Sequence, residues 1–174
     1  MKRLVQLLSL SLPLAALLTA APQGSAAAST CPTWSTSTKA AGTLHTPSLL
    51  TVSTARSTCW DRVTFEFAGT VNGYRVRYGP TTTEGAGFAL GPYTAGAGLL
   101  NVSLLAPATA FAKPVGSHQA VVLRYTTLRD VVYGGTFEGY TTFAVGTRGT
   151  LPFRVFRATG PGSHNRIILD IAHH

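Results

Sequence analysis

Residues 126–158 read TTLRDVVYGGTFEGYTTFAVGTRGTLPFRVFRA. Three short runs rich in β-branched and aromatic residues are parted by glycine turns. Nowhere in the stretch do apolar residues recur at the three-to-four spacing of a helix. A chain built this way can bury its apolar side chains only by stacking pleated faces, so the stretch demands antiparallel β-structure. It supplies no chemistry. Neither a phosphate loop, a nucleophile elbow nor a metal-ligand spacing occurs in the chain.

The same signal runs on both sides. In 62–67, Val63, Phe65 and Phe67 alternate with polar residues; in 73–78, Tyr74, Val76 and Tyr78 alternate with Arg75 and Arg77. Asn72-Gly73 between them reads as a turn, which makes the two runs an antiparallel hairpin. Further strands are expected at 99–105, 120–125, 128–133, 137–145, 153–158 and 166–172. The run at 120–125 is apolar on both faces and is read as central. Residues 79–98 and 106–118 are Gly- and Pro-marked connections, the first with room for a short strand at 88–90. The set predicts about eight short strands in an antiparallel sandwich or barrel spanning 62–172, with no helix longer than two turns. Val63, Phe65, Phe67, Phe137, Phe143, Phe153, Ile167, Leu169 and Ile171 are its expected core.

Residues 1–28 read as a cleaved secretory signal peptide. Lys2 and Arg3 precede an apolar run at 7–21, and Ala26-Ala27-Ala28 offers a peptidase its small residues. The run is too short and proline-broken for a membrane span, so the mature chain is expected to be secreted, with no span of its own. Residues 29–58 are a Ser- and Thr-rich, largely irregular lead-in with one short strand at 49–53. Residues 59–174 form the domain. In an oxidising compartment Cys31 and Cys59 read as a disulfide that staples the lead-in to the first strand.

The mature chain has twelve basic against six acidic side chains, a net charge near +6, and most of its cations are arginine. The arginines are dispersed and form no basic run, which argues against nucleic acid as a partner.

An ordered set of segments carries a family resemblance: Cys59-Trp-Asp-Arg-Val-Thr-Phe-Glu-Phe67, Gly73-Tyr-Arg-Val-Arg-Tyr78, Phe137-Glu-Gly139, Phe153-Arg-Val-Phe156 and Asn165-Arg-Ile-Ile-Leu-Asp170. From about residue 59 to 173 the chain resembles the AMIN-like family, exported bacterial domains related to the AMIN domain of cell-wall amidases. The resemblance implies a β-sandwich, a non-catalytic role, no cofactor, and as partner a cell-wall polymer or an envelope protein. Where the family often has a Pro-Pro-Arg turn before its last strand, this chain has Gly160-Pro-Gly-Ser-His-Asn-Arg166.

The candidate binding residues are Arg75, Arg77, Tyr74, Tyr78, Glu138 and Arg154, with Arg62, Glu66, Arg157 and Tyr140 beside them on outward sheet faces. Arginine grips carboxylates and tyrosine stacks on sugar rings. Asp61 is read as a hydrogen-bond acceptor at a strand start, Asp170 as a partner for an arginine, and His173 and His174 as a solvated tail. Two other functions stay open at this point: a carrier of a small apolar ligand within the sandwich, and a wall-glycan hydrolase using Glu66 and Glu138.

Overall fold

A computed structural model describes residues 31–120, 122 and 124–174; the expected signal peptide lies outside the described residues. The period-two runs become strands: β1 (Lys39–Ala41), β2 (Leu49–Arg56), β3 (Trp60–Phe67), β4 (Tyr74–Tyr78), β5 (Gly98–Leu104), β6 (Leu128–Phe137), β7 (Tyr140–Thr147), β8 (Phe153–Thr159) and β9 (Asn165–Ala172). They form two antiparallel sheets, ordered β1-β4-β5-β7-β6 and β2-β3-β9-β8. The helical content of the described residues is one 3-10 turn, Gly91–Tyr93, so no helix there is long and apolar enough to cross a membrane.

Alternation decides what goes inside. Val63 and Phe65 of β3 oppose Leu169 and Ile167 of β9, and with Phe67 they pack against Leu100, Val102, Leu104, Phe143 and Val145 of the other sheet; all are fully buried. Phe65 and Phe143 meet across the interior with ring centroids 5.1 Å apart. Burial of side chains this size contributes roughly 1.5–3 kcal/mol each.

Eight of the nine expected core residues are fully buried, but Phe137 is 52% exposed. A bulge explains the exception. The β6–β7 register shifts between Tyr133 and Gly135, so Tyr133 faces inward opposite Phe143 while Thr136, not Phe137, faces inward opposite Thr141. One inserted residue turns the remainder of the strand over.

The expected hairpin of 62–67 with 74–78 does not form. β3 pairs with β2 and β9, whereas β4 pairs with β1 and β5, in the other sheet. The two runs lie in different layers: across the core β3 meets β7 at Phe65–Phe143, and β4 meets β8 at Tyr78–Phe153. Residues 68–73 cross between the layers, and Asn72 uses its side chain to hold the neighbouring loop: its Oδ1 accepts from the Thr43 N–H at 3.2 Å and lies 2.7 Å from His45 Nε2. Gly73 is required for close approach, since a Cβ there would sit 2.1 Å from the Thr43 carbonyl oxygen.

Nor do the described residues of 120–125 form the expected central strand. Residues 121 and 123 lie outside the described residues, and the described neighbours are turn or irregular. The edge of β6 is taken by the segment just before: Gly116 and Gln119 donate to Tyr133 and Val131, and Tyr133 donates back to Ser117. Ala120, Val122 and Tyr125 pack half-buried against the core as a lid on that edge.

At the opposite side, residues 31–41 strap the sandwich. Cys31 is disulfide-bonded to Cys59, with Cα atoms 5.4 Å apart. Ser35 then bridges to Phe153 on the edge of one sheet, and β1 joins β4 on the edge of the other. Where one short strand at 49–53 was expected, β2 runs the full eight residues Leu49–Arg56.

Residues 79–97 pack on the outer face of the five-stranded sheet. There Leu90 covers Val132 and Ala144. Gly146 is buried beneath them, and a Cβ on it would lie 1.8 Å from the Ala95 carbonyl oxygen.

Candidate functional site

Six carboxylates are available to balance this chain's cations, and the fold uses five of them internally. Asp61, fully buried at the start of β3, accepts from the Thr127 and Leu128 backbone N–H groups at 2.5 and 2.9 Å and from the Thr127 hydroxyl at 2.9 Å. His173 Nε2 lies 3.1 Å from its other oxygen, and the His173 Nδ1 is 3.0 Å from the Thr58 carbonyl. Burial, the largest single influence on Asp61, opposes its charge, but these hydrogen bonds together outweigh it and hold the carboxyl below the usual range. The C-terminal His173 is thus docked on β3 and is not part of a solvated tail.

Asp170, fully buried on β9, receives two bonds from Arg62, at 2.6 and 2.9 Å, and one from Arg154 Nε at 2.9 Å. Asp130 on β6 is bonded by His118 and by the Ala95 and Val131 N–H groups. Glu66 on β3 is held below the usual carboxylate range by His164 first, at 2.9 Å, and then by Arg166 at 2.7 Å. Glu84 accepts from the Thr142 hydroxyl. Glu138 has no hydrogen-bond or ion-pair partner among the described residues.

The outward faces of the two sheets lie on opposite sides of the sandwich, so the predicted binding residues do not form one surface. Arg154 belongs to the four-stranded sheet. Its guanidinium stands 4.7 Å from the Trp34 ring, 5.4 Å from Trp60 and 4.7 Å from Phe156, and Trp34 and Trp60 meet at 5.8 Å. This ladder fastens the strap to the sheet. Each such contact contributes about 0.5–2 kcal/mol depending on how dry it is, and Arg154 is committed to it and to Asp170.

Tyr78 is committed as well. It packs edge-on against Phe153, donates to the Leu151 carbonyl at 2.9 Å and accepts from the Leu151 N–H at 2.9 Å. Burial pushes its hydroxyl pKa up.

Arg75 and Arg77 are exposed on the outer face of β4, and Arg157 is exposed near the end of the β8 edge; none has a carboxylate partner among the described residues. Two open troughs meet at Ala41 and Tyr74; Arg75 lines one and Arg157 the other, while Arg77 lines neither. One, about 430 Å³, is lined by Arg75, Ser103, Leu105 and Tyr140; the other, about 480 Å³, runs along Val155, Arg157, Thr159 and Asn165. Their lining contains arginine, tyrosine and neutral polar groups but no carboxylate. The Tyr74 hydroxyl marks the junction, donating to the Val155 carbonyl at 3.2 Å. A surface of this kind can take carboxylate or phosphate oxygens on the guanidinium forks and a sugar ring against tyrosine.

Glu138 sits at the β6–β7 turn with a φ of 50°, one turn away from this face. Glu66 and Glu138 belong to different sheets, and the first is already tied to two cations, so they are not arranged as a pair of glycosidase carboxylates. Among the described residues, His, Cys, Asp and Glu nowhere gather in threes as a metal site would require.

Trp34, Trp60 and Phe156 are the surface residues whose importance the sequence hides best. One signal was available: both tryptophans follow the bridged cysteines closely, in Cys31-Pro-Thr-Trp34 and Cys59-Trp60.

A family model described as the AMIN-like domain matches residues 47–173. The match begins before the stretch that resembles this family by eye and takes in β2, consistent with the place of β2 in the sheet. No curated protein and no solved structure matches the chain.

Proposed function

The chain belongs to the AMIN-like domain family, and from that premise we propose that it is an exported, non-catalytic module that binds cell-wall material through its basic flank. The family suggests a binding module related to those of cell-wall amidases. The observation that carries the reading to a surface is the distribution of charge: five carboxylates are spent inside the fold, which leaves Arg75 and Arg157 unneutralised in troughs that contain tyrosine and no acid, with Arg77 two residues from Arg75 on the same exposed face of β4. The ligand chemistry that suits them is a wall polymer bearing carboxylates or phosphodiesters.

The test is co-sedimentation of the purified protein with insoluble cell wall, before and after its anionic polymers are stripped. Binding is expected to weaken with salt, because screening tightens from about 8 Å at physiological ionic strength to about 3 Å at 1 M. Replacing Arg75 and Arg77 together by Ala should weaken binding about tenfold or more, the equivalent of roughly 1.4 kcal/mol. Both side chains are exposed, so stability should stay within about 0.5 kcal/mol of the parent. Unchanged binding by the double variant would place the site elsewhere. Release of soluble sugar or peptide from the wall would overturn the non-catalytic reading.

A further inference from the structure

Six large hydrophobic side chains are strongly exposed among the described residues, and five of them, Leu44, Phe88, Val115, Phe137 and Tyr140, gather at one end of the sandwich. They come from separate turns. Leu44 lies against Gly139, Val115 against Gly135, and the Phe137 ring against Gly85, in the turn that Thr83 and Phe88 close by backbone bonding. Scattered exposed apolar residues need no explanation, but a convergent patch marks a contact surface.

Exposed Glu138 stands at the β6–β7 turn between Phe137 and Tyr140, and it constrains what covers the patch. An apolar partner, or a lipid surface, would strip water from a carboxylate that has nothing to pair with, at a cost of several kcal/mol. The partner must therefore bring a cation along with apolar surface. The chain itself carries that combination next to the tip. Arg75, with no carboxylate of its own, lines a trough with Tyr74 and Leu105, and that trough shares Tyr140 with the tip.

We propose that the protein associates as a two-fold dimer in which the β6–β7 tip of each copy lies in the Arg75 trough of the other, pairing Glu138 with Arg75 twice. A two-fold contact requires one self-complementary patch, each residue meeting its counterpart's partner. A tip and a trough joined through Tyr140, with opposite charges, meet that requirement.

Sedimentation velocity of the purified protein, with no wall material present, tests this. The parent should show a concentration-dependent monomer–dimer equilibrium. Leu44→Ser with Phe137→Ser should weaken it at least tenfold. Glu138→Arg and Arg75→Glu should each be monomeric, because each brings like charges together. Mixed one to one, these two variants should recover the dimer, since both pairs are then restored with the charges exchanged. A parent that stays monomeric at every accessible concentration would overturn the proposal. So would a mixture that fails to associate, growth into open-ended assemblies, or a patch that binds anionic lipid vesicles while the protein remains monomeric. The tip of the second copy and wall polymer would compete for the Arg75 trough, and Arg77, outside that trough, separates the two: Arg77→Ala should weaken attachment to wall and leave the dimer intact.

Discussion

Asp61→Ala is expected to destabilise the domain by about 3–5 kcal/mol, the range for removing one partner from a buried charged network. That is a large part of the total stability of a domain this size. The carboxylate accepts the Thr127 N–H, the Leu128 N–H and the Thr127 hydroxyl, with His173 on its other oxygen. Its removal orphans donors from β6 and from the C-terminus at once, and each buried orphan costs about 1–3 kcal/mol. Asp61→Asn should be little better, because an amide turns a donor toward donors. Denaturant midpoints measure both, and a loss under about 1 kcal/mol would show that water can replace the carboxylate.

The pH dependence follows in sign. The folded pKa of Asp61 is depressed, so its stabilising contribution is complete above the unfolded value of about 3.9. It disappears as the pH falls through the lower folded value. The difference between parent and Asp61→Asn should therefore be constant near neutrality and shrink below about pH 4.

Replacing Cys31 and Cys59 together by Ser is expected to cost about 3–4 kcal/mol, the chain-entropy value for a cross-link spanning the observed separation of 28 residues. The loss should have a local signature. Beyond the disulfide, the strap is held by the Ser35 bridge to Phe153, by Lys39 Nζ 5.1 Å from the Phe153 ring, and by the Trp34–Arg154–Trp60 ladder. Without the cross-link, Trp34 should leave the ladder and its fluorescence should shift to the red, while far-ultraviolet circular dichroism still reports both sheets. An unshifted spectrum would mean that the ladder alone holds the strap.

Period two told which residues of 62–67 and 74–78 face inward but not which sheet each run joins. Two amphipathic runs linked by a turn-like Asn-Gly satisfy the same pattern whether they pair or lie in different layers. Phe137 was placed inside because alternation was carried through Gly134-Gly135, where a bulge reverses it. The disulfide could be read from two cysteines in a chain with a secretory leader pattern. The charge distribution could not. Arg62 and Arg154 are 92 residues apart in sequence and meet at Asp170 because β3 and β8 flank β9. Arg75 and Arg77 look identical to them in the sequence and remain free because the facing strand, β5, offers Ser103 and Asn101 in place of acids.

The position of β9 between β3 and β8 sets an order of events in time. Trp60 pairs with Ala172 and Glu66 with Arg166, so a chain made from its N-terminus holds the β2–β3 hairpin, with Val63, Phe65 and Phe67 uncovered, until β9 has been made. β8 has no other strand to join in its sheet and must wait too. Pairings this distant in sequence make folding slow, milliseconds to seconds for β-sandwiches, and leave apolar strands open to aggregation meanwhile. Such a chain cannot close its four-stranded sheet before β9 has been made. By the same logic, a deletion of β9 would release both flanking strands and abolish the four-stranded sheet.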